Sequence, residues 1–164
     1  MRRAFGATAV VLLLSAVPGV QAREAAPASR RAPTVAIVVS GDAAIAGPAR
    51  AAIGAVAQQQ GFRVIEGRGR LAETDTRPYA RKADAVFFVD ANPIGTTEVE
   101  YYGNLSTLYT AEVSLSAYRP SNGELLWSGP ATSVSFSAMN AREKAEEALE
   151  PMLADVEQEL RRLR

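Results

Sequence analysis

The sequence contains no cysteine and no histidine. The first absence excludes disulfide frameworks, thiolate metal centres and cysteine nucleophiles; the second removes imidazole bases and imidazole metal ligands. Charge of one sign is also missing, with Lys+Arg and Asp+Glu at 18 each. A nucleic-acid role therefore has no electrostatic support. No apolar run reaches the ~20 residues of a comfortable membrane span. What is present is a chain of 164 residues, 48% hydrophobic and 22% charged, enough for one domain around a real core.

The chain opens on Met1-Arg2-Arg3, followed by an apolar run from Ala7 to Val17, a Pro18-Gly19 break and the small or neutral residues Val20-Gln21-Ala22. This three-part pattern predicts a secretory signal peptide over residues 1–22. Its removal takes two arginines and no acid, leaving 16 basic against 18 acidic side chains. With no cysteine after the cleavage site, the reading is an exported periplasmic protein that is not a lipoprotein and has no stable membrane span once processed. An exported, cysteine-free domain suits a bacterial periplasm better than a secreted eukaryotic space. Residues 23–33, rich in Ala, Pro, Ser and Arg, read as a flexible leader. Residues 34–164 read as a single α+β domain.

Within it, Val35 to Val39 is a continuous β-branched run suited to a strand buried on both faces. Pro48 predicts the first turn of a helix whose apolar residues Ile45, Ala49, Ile53 and Ala57 recur at helical spacing, with Gly61 as its stop. Phe62 to Ile65 then completes a β-α-β opening. Asp75 or Thr76 is placed to cap a short helix with Pro78 in its first turn and Tyr79 inward. Ala83 to Asp90 is a strand, broken by Asn92-Pro93-Ile94-Gly95. Alternation from Thr97, a Gly103-Asn104 turn, a long strand to Tyr118, and strands at 124–128 and 132–138 predict an antiparallel meander. Asn140 and Glu143 resemble a capping box opening a long C-terminal helix whose stripe keeps phase across Pro151. The expected fold is a mixed, mainly antiparallel sheet opened by a β-α-β unit, with helices mainly on one face.

Candidate chemistry is sparse. Ser40-Gly41-Asp42 ends a strand before a helix, where α/β proteins bind ligands, yet phosphate-loop and dinucleotide spacings are absent. Glu98 and Glu100 read as the solvated side of a hairpin. Asp84 and Asp90 bracket a buried strand and suit capping of its ends. Tyr101 and Tyr102, beside Asn104 at a hairpin tip, are the residues expected to be displayed to a partner, because exposed aromatics are enriched in protein contacts.

One stretch carries a family likeness. The order strand–helix–strand, the later strand Ala83-Asp84-Ala85-Val86-Phe87-Phe88-Val89, the phrase Ser121-Asn122-Gly123-Glu124-Leu125-Leu126-Trp127 and the long amphipathic C-terminal helix are together similar to bacterial envelope domains related to the amino-terminal domain of TolB, and to CsgG and LpoB. The likeness spans most of residues 34–162 and implies a non-catalytic envelope adaptor. The expectation is thus an accessory protein acting through protein–protein contacts in surface assembly, secretion or wall synthesis, with an envelope protein or a second copy as partner. It carries no catalytic residue, cofactor or metal. The alternative is a ligand-binding or carboxylate-dependent protein using the Ser40–Asp42 turn.

Overall fold

A computed structural model describes residues 31–67 and 75–164. The segment assigned as an export signal, and the leader up to Arg30, lie outside the described residues.

Strand β1 (Thr34–Gly41) leads into helix α1 (Ala43–Gln59), then β2 (Arg63–Gly67) and a single 3₁₀ turn (Arg77–Tyr79). Two long strands follow, β3 (Ala85–Tyr101) and β4 (Asn104–Arg119), then β5 (Glu124–Ser128), β6 (Thr132–Phe136) and helix α2 (Ala141–Arg162). The sheet order is β2-β1-β3-β4-β5, with β6 also on β4. β2, β1 and β3 run parallel; β3–β4, β4–β5 and β4–β6 are antiparallel. The expected mixed α+β architecture is what the chain adopts.

Burial follows the pleat. Val35, Ile37, Phe87 and Val89 point to one face, where Ile45, Ala49 and Ile53 of α1 and Leu149, Met152, Val156 and Leu160 of α2 close a single core. Ala36, Val38, Val86 and Phe88 point to the other face, covered by Tyr79 and Ala83 from the segment around the 3₁₀ turn. Both helices thus share one face. The parallel strand β1 is buried on both sides, which is why its run is apolar without alternation.

The details correct four expectations. Helix α1 starts earlier than Pro48: the Asp42 side chain accepts the Ala44 N–H at 2.8 Å, satisfying an otherwise orphaned donor, and Pro48 lies inside the helix. The break at 92–95 is a bulge within a continuous β3, since pairing passes from Pro93↔Ala111 to Gly95↔Thr110 and leaves Ile94 unmatched. Pro93 is tolerated because β3 has lost its β1 neighbour beyond Ala91. The hairpin turn is Tyr102-Gly103, closed by Tyr101↔Asn104, and not Gly103-Asn104. Asn140 makes no cap bond; its Oδ1 accepts from Ser137 N–H at 2.7 Å and Ser137 Oγ at 3.2 Å, tying down the β6–α2 loop. Pro151 stays inside one helix as expected, held there by the buried stripe on either side of it.

The tightest joint lies where β1 ends. Gly41 has φ +86°, and a Cβ there would stand 2.0 Å from the Ala91 carbonyl oxygen. Gly41→Ala is expected to cost more than about 3 kcal/mol in urea unfolding, through backbone overlap and left-handed strain. Gly54→Ala, where a Cβ would meet Ile37 Cδ1 at an ordinary 3.8 Å inside a helix, is expected to stabilise by about 0.5–1 kcal/mol. Equal stabilities for the two variants would contradict this packing.

Candidate functional site

The last rung between β1 and β3 is Gly41↔Ala91, yet β3 continues to Tyr101 before β4 returns from Asn104. On the far side, β6 pairs β4 only from Tyr109 to Val113. Residues 97–101 of β3 and 104–108 of β4 therefore form a two-stranded arm with no further strand on either edge, and β3 is open on its own outer edge from Asn92 onward. At about 3.3 Å per residue the arm reaches roughly 17 Å past β6.

Its two faces differ. Residues directly opposite in an antiparallel ladder share a face, so Thr96/Tyr109, Glu98/Thr107 and Glu100/Leu105 lie on the helix side. Thr97/Leu108 and Val99/Ser106 lie on the other. On the helix side Leu105 is 75% exposed, and at the foot of the arm Tyr109 stacks on Phe136 with ring centroids 5.8 Å apart. Met139, 94% exposed on the β6–α2 loop, helps to line a cavity of about 340 Å³ with Leu105, Tyr109, Ser137 and Ala138. Sequence reasoning missed this notch, in which Leu105, Tyr109 and Met139 stand among the hydroxyls of Ser106, Thr107 and Ser137, because nothing in the alternation shows that β6 stops short of Leu105.

At the tip, Tyr102 (φ 50°) and Gly103 (φ 76°) both take positive φ, the signature of a type I′ turn. Asn or Asp is the residue that this first position favours; a bulky Tyr there bears about 1 kcal/mol of left-handed strain. Tyr102 is nevertheless 90% exposed. Asn104 is exposed, and its Nδ2 donates to the Tyr102 carbonyl at 3.5 Å. Tyr101 is placed opposite Asn104 in the ladder. The three residues singled out from the sequence thus meet at one tip.

The other candidates are spent on the fold. Ser40 Oγ donates to Asp90 Oδ1 at 2.8 Å, Asp42 caps α1, and Gly41 is pressed onto Ala91. Asp84 Oδ2 accepts the Thr34 N–H at 2.7 Å just before β3, as its position suggested, whereas Asp90, expected at a strand end, lies inside the continuous β3 and holds the Ser40 hydroxyl of β1. Among the described residues no three His, Cys, Asp or Glu side chains gather in a metal-binding group. A cavity of about 460 Å³ lies between Asp75–Arg77 and Pro120–Gly123. Its charges neutralise each other: the hydrogen bond from Arg77 to Asp75, at 2.8 Å, holds the aspartate below its ordinary pKa and the guanidinium above its own. No described helix is long and apolar enough to cross a membrane.

No protein-family model matches the chain, and no curated protein matches it. Solved bacterial structures do. The lipoprotein GNA1162 of Neisseria meningitidis is 16% identical, with a TM-score of 0.47 over 75% of this chain and 99% of that one. PelC from Paraburkholderia phytofirmans, solved as a dodecamer, is 18% identical, with a TM-score of 0.42 over 74% and 88%. A Caulobacter crescentus protein described provisionally as a lipoprotein is 12% identical, with a TM-score of 0.44 over 77% and 90%. These names correct the sequence reading of a periplasmic protein that is not a lipoprotein: two of the three similar structures are called lipoproteins, and that exclusion is withdrawn.

Proposed function

We propose that this is a non-catalytic contact protein of the bacterial cell envelope, and that the β3–β4 arm is the element it presents to a protein partner. The observation that carries the reading is the uncovered arm itself, with a notch at its foot and Tyr102 at its tip. Two open strand edges offer unpaired backbone N–H and C=O groups, which bind an extended segment by strand addition, while Leu105, Tyr109 and Met139 supply apolar anchorage beside them. Tyr102 adds an exposed aromatic held at positive φ, and backbone strain of this kind clusters at functional sites. The export-type pattern of residues 1–22 and the likeness of residues 34–162 to TolB-, CsgG- and LpoB-type domains support the envelope and the adaptor role.

Two outcomes follow. Tyr102→Asn relieves the left-handed strain and should raise stability by about 0.5–1 kcal/mol in thermal or urea unfolding. The same substitution, and separately Leu105→Asp, should remove the proteins that co-purify with the wild type after chemical crosslinking in intact cells, while the melting temperature holds or rises. Recovery of the same partners by both variants would refute the arm as the contact element. A ligand-dependent melting shift that Asp42→Asn abolishes would instead favour a site at the Ser40–Asp42 turn.

A further inference from the structure

The end of the domain opposite the arm carries a different surface. There the described chain begins: Thr34 pairs with Arg63, Arg63 N–H donates to the Pro33 carbonyl at 2.8 Å, and Asp84 N–H donates to the Thr34 carbonyl at 2.7 Å. Around this point stand five exposed cations, Arg31, Arg63, Arg81, Lys82 and Arg164. Arg31 donates to the carbonyls of Arg81 and Lys82, at 3.4 and 3.1 Å, which draws three of the charges together. Arg164 bonds the Gln60 carbonyl and lies 6.0 Å from the centre of the Phe62 ring, beside Arg63. None of the five has a carboxylate partner among the described residues. Of the carboxylates nearby, Glu157 is paired with Arg161 and Glu159 with Arg162, and Asp84, which accepts the Thr34 N–H, leaves the five cations a surplus of four positive charges.

The arm end has the opposite sign. Glu98, Glu100 and Glu112 project from β3 and β4, and Glu143 stands at the start of α2, which begins at the arm's foot, whereas Glu146 and Glu147 there are paired with Arg142 and Lys144. From Asp84 to Tyr101 the strand runs roughly 55 Å at about 3.3 Å per residue, several screening lengths at physiological salt. The domain is therefore electrically polar along its long axis.

We infer that the basic end is a membrane-facing surface that rests on anionic lipid headgroups, with the acidic arm directed away from the bilayer. The observation that carries this is charge complementarity: five exposed cations without carboxylate partners among the described residues gather at one end of the domain, and the far end is acidic. Basic residues close to an anionic surface each strengthen attachment, and the gain fades within a screening length.

Vesicle sedimentation tests this with the protein in the form that cells accumulate. The probes are phosphatidylcholine vesicles with and without phosphatidylglycerol, at low and at physiological salt. Any partition of apolar segments is common to both compositions; the basic end supplies the part that depends on phosphatidylglycerol. Arg81→Glu/Lys82→Glu should lower that part by about tenfold or more. Arg142→Glu/Lys144→Glu, the same charge change at the arm end, should leave it unaltered. Arg81, Lys82 and Arg142 are exposed and Lys144 is half-buried; unchanged circular dichroism and melting temperature confirm that the variants fold. Binding that ignores phosphatidylglycerol, or equal loss in both variants, overturns the inference. So does binding abolished by millimolar inorganic phosphate with no preference for vesicles, which marks a free-anion site. So does low-salt self-association that only Arg81→Glu/Lys82→Glu abolishes, which marks the acidic arm of a second copy as the partner.

Discussion

The antiparallel ladder between β3 and β4 is the interaction on which the rest of the molecule is registered. It runs from Val86↔Tyr118 to Tyr101↔Asn104, interrupted only by the bulge at Ile94. β1 attaches to one side of it, β5 and β6 to the other, and the two helices lie on the face that Phe87, Val89, Val113 and Leu115 present. Each of these partners is shorter than the ladder. The arm is what remains of a long hairpin after every other element has found its place, and its two free edges follow directly from that mismatch in length.

A free hairpin of this kind is an uncommon arrangement for a stable domain, because open edges invite unwanted pairing. Here the arm carries Glu98 and Glu100 on one face and a bulge where it leaves the sheet, both of which discourage indiscriminate stacking. It keeps Leu105 and Tyr102 exposed all the same, with Met139 of the β6–α2 loop exposed beside its foot. The contact role proposed for the arm reconciles the two tendencies: charge and curvature would limit what can add to the edge, and the notch would reward what fits.

Much of the fold was legible because burial leaves a direct imprint on residue choice. The all-apolar Val35–Val39 run, the α1 face through Ile45, Ala49 and Ile53, and the α2 stripe through Leu149, Met152 and Val156 each follow the period of the element that contains them. Asp84 stands just before β3 and holds the Thr34 N–H, as capping requires. Local punctuation was harder to read. Pro48 and Pro93 looked like boundaries, but the cap at Asp42 and the vacant edge beyond Ala91 let the chain continue through them. The turn shifted by one residue because Tyr102 accepts a left-handed backbone that Asn104 was expected to supply. At the candidate site, the tip residues could be named from sequence, whereas the notch and the basic end depend on where β6 stops and where the chain begins its first strand.

The contact role proposed for the arm requires that the arm be where this protein meets others. A photo-crosslinking amino acid placed singly at Glu98, Leu105 or Tyr102, and for comparison at the exposed Ala51 of α1, reads this out in living cells. The arm positions should give discrete adducts of shared mass, and Ala51 should give none. Adducts from Ala51 with nothing captured along the arm would contradict the account.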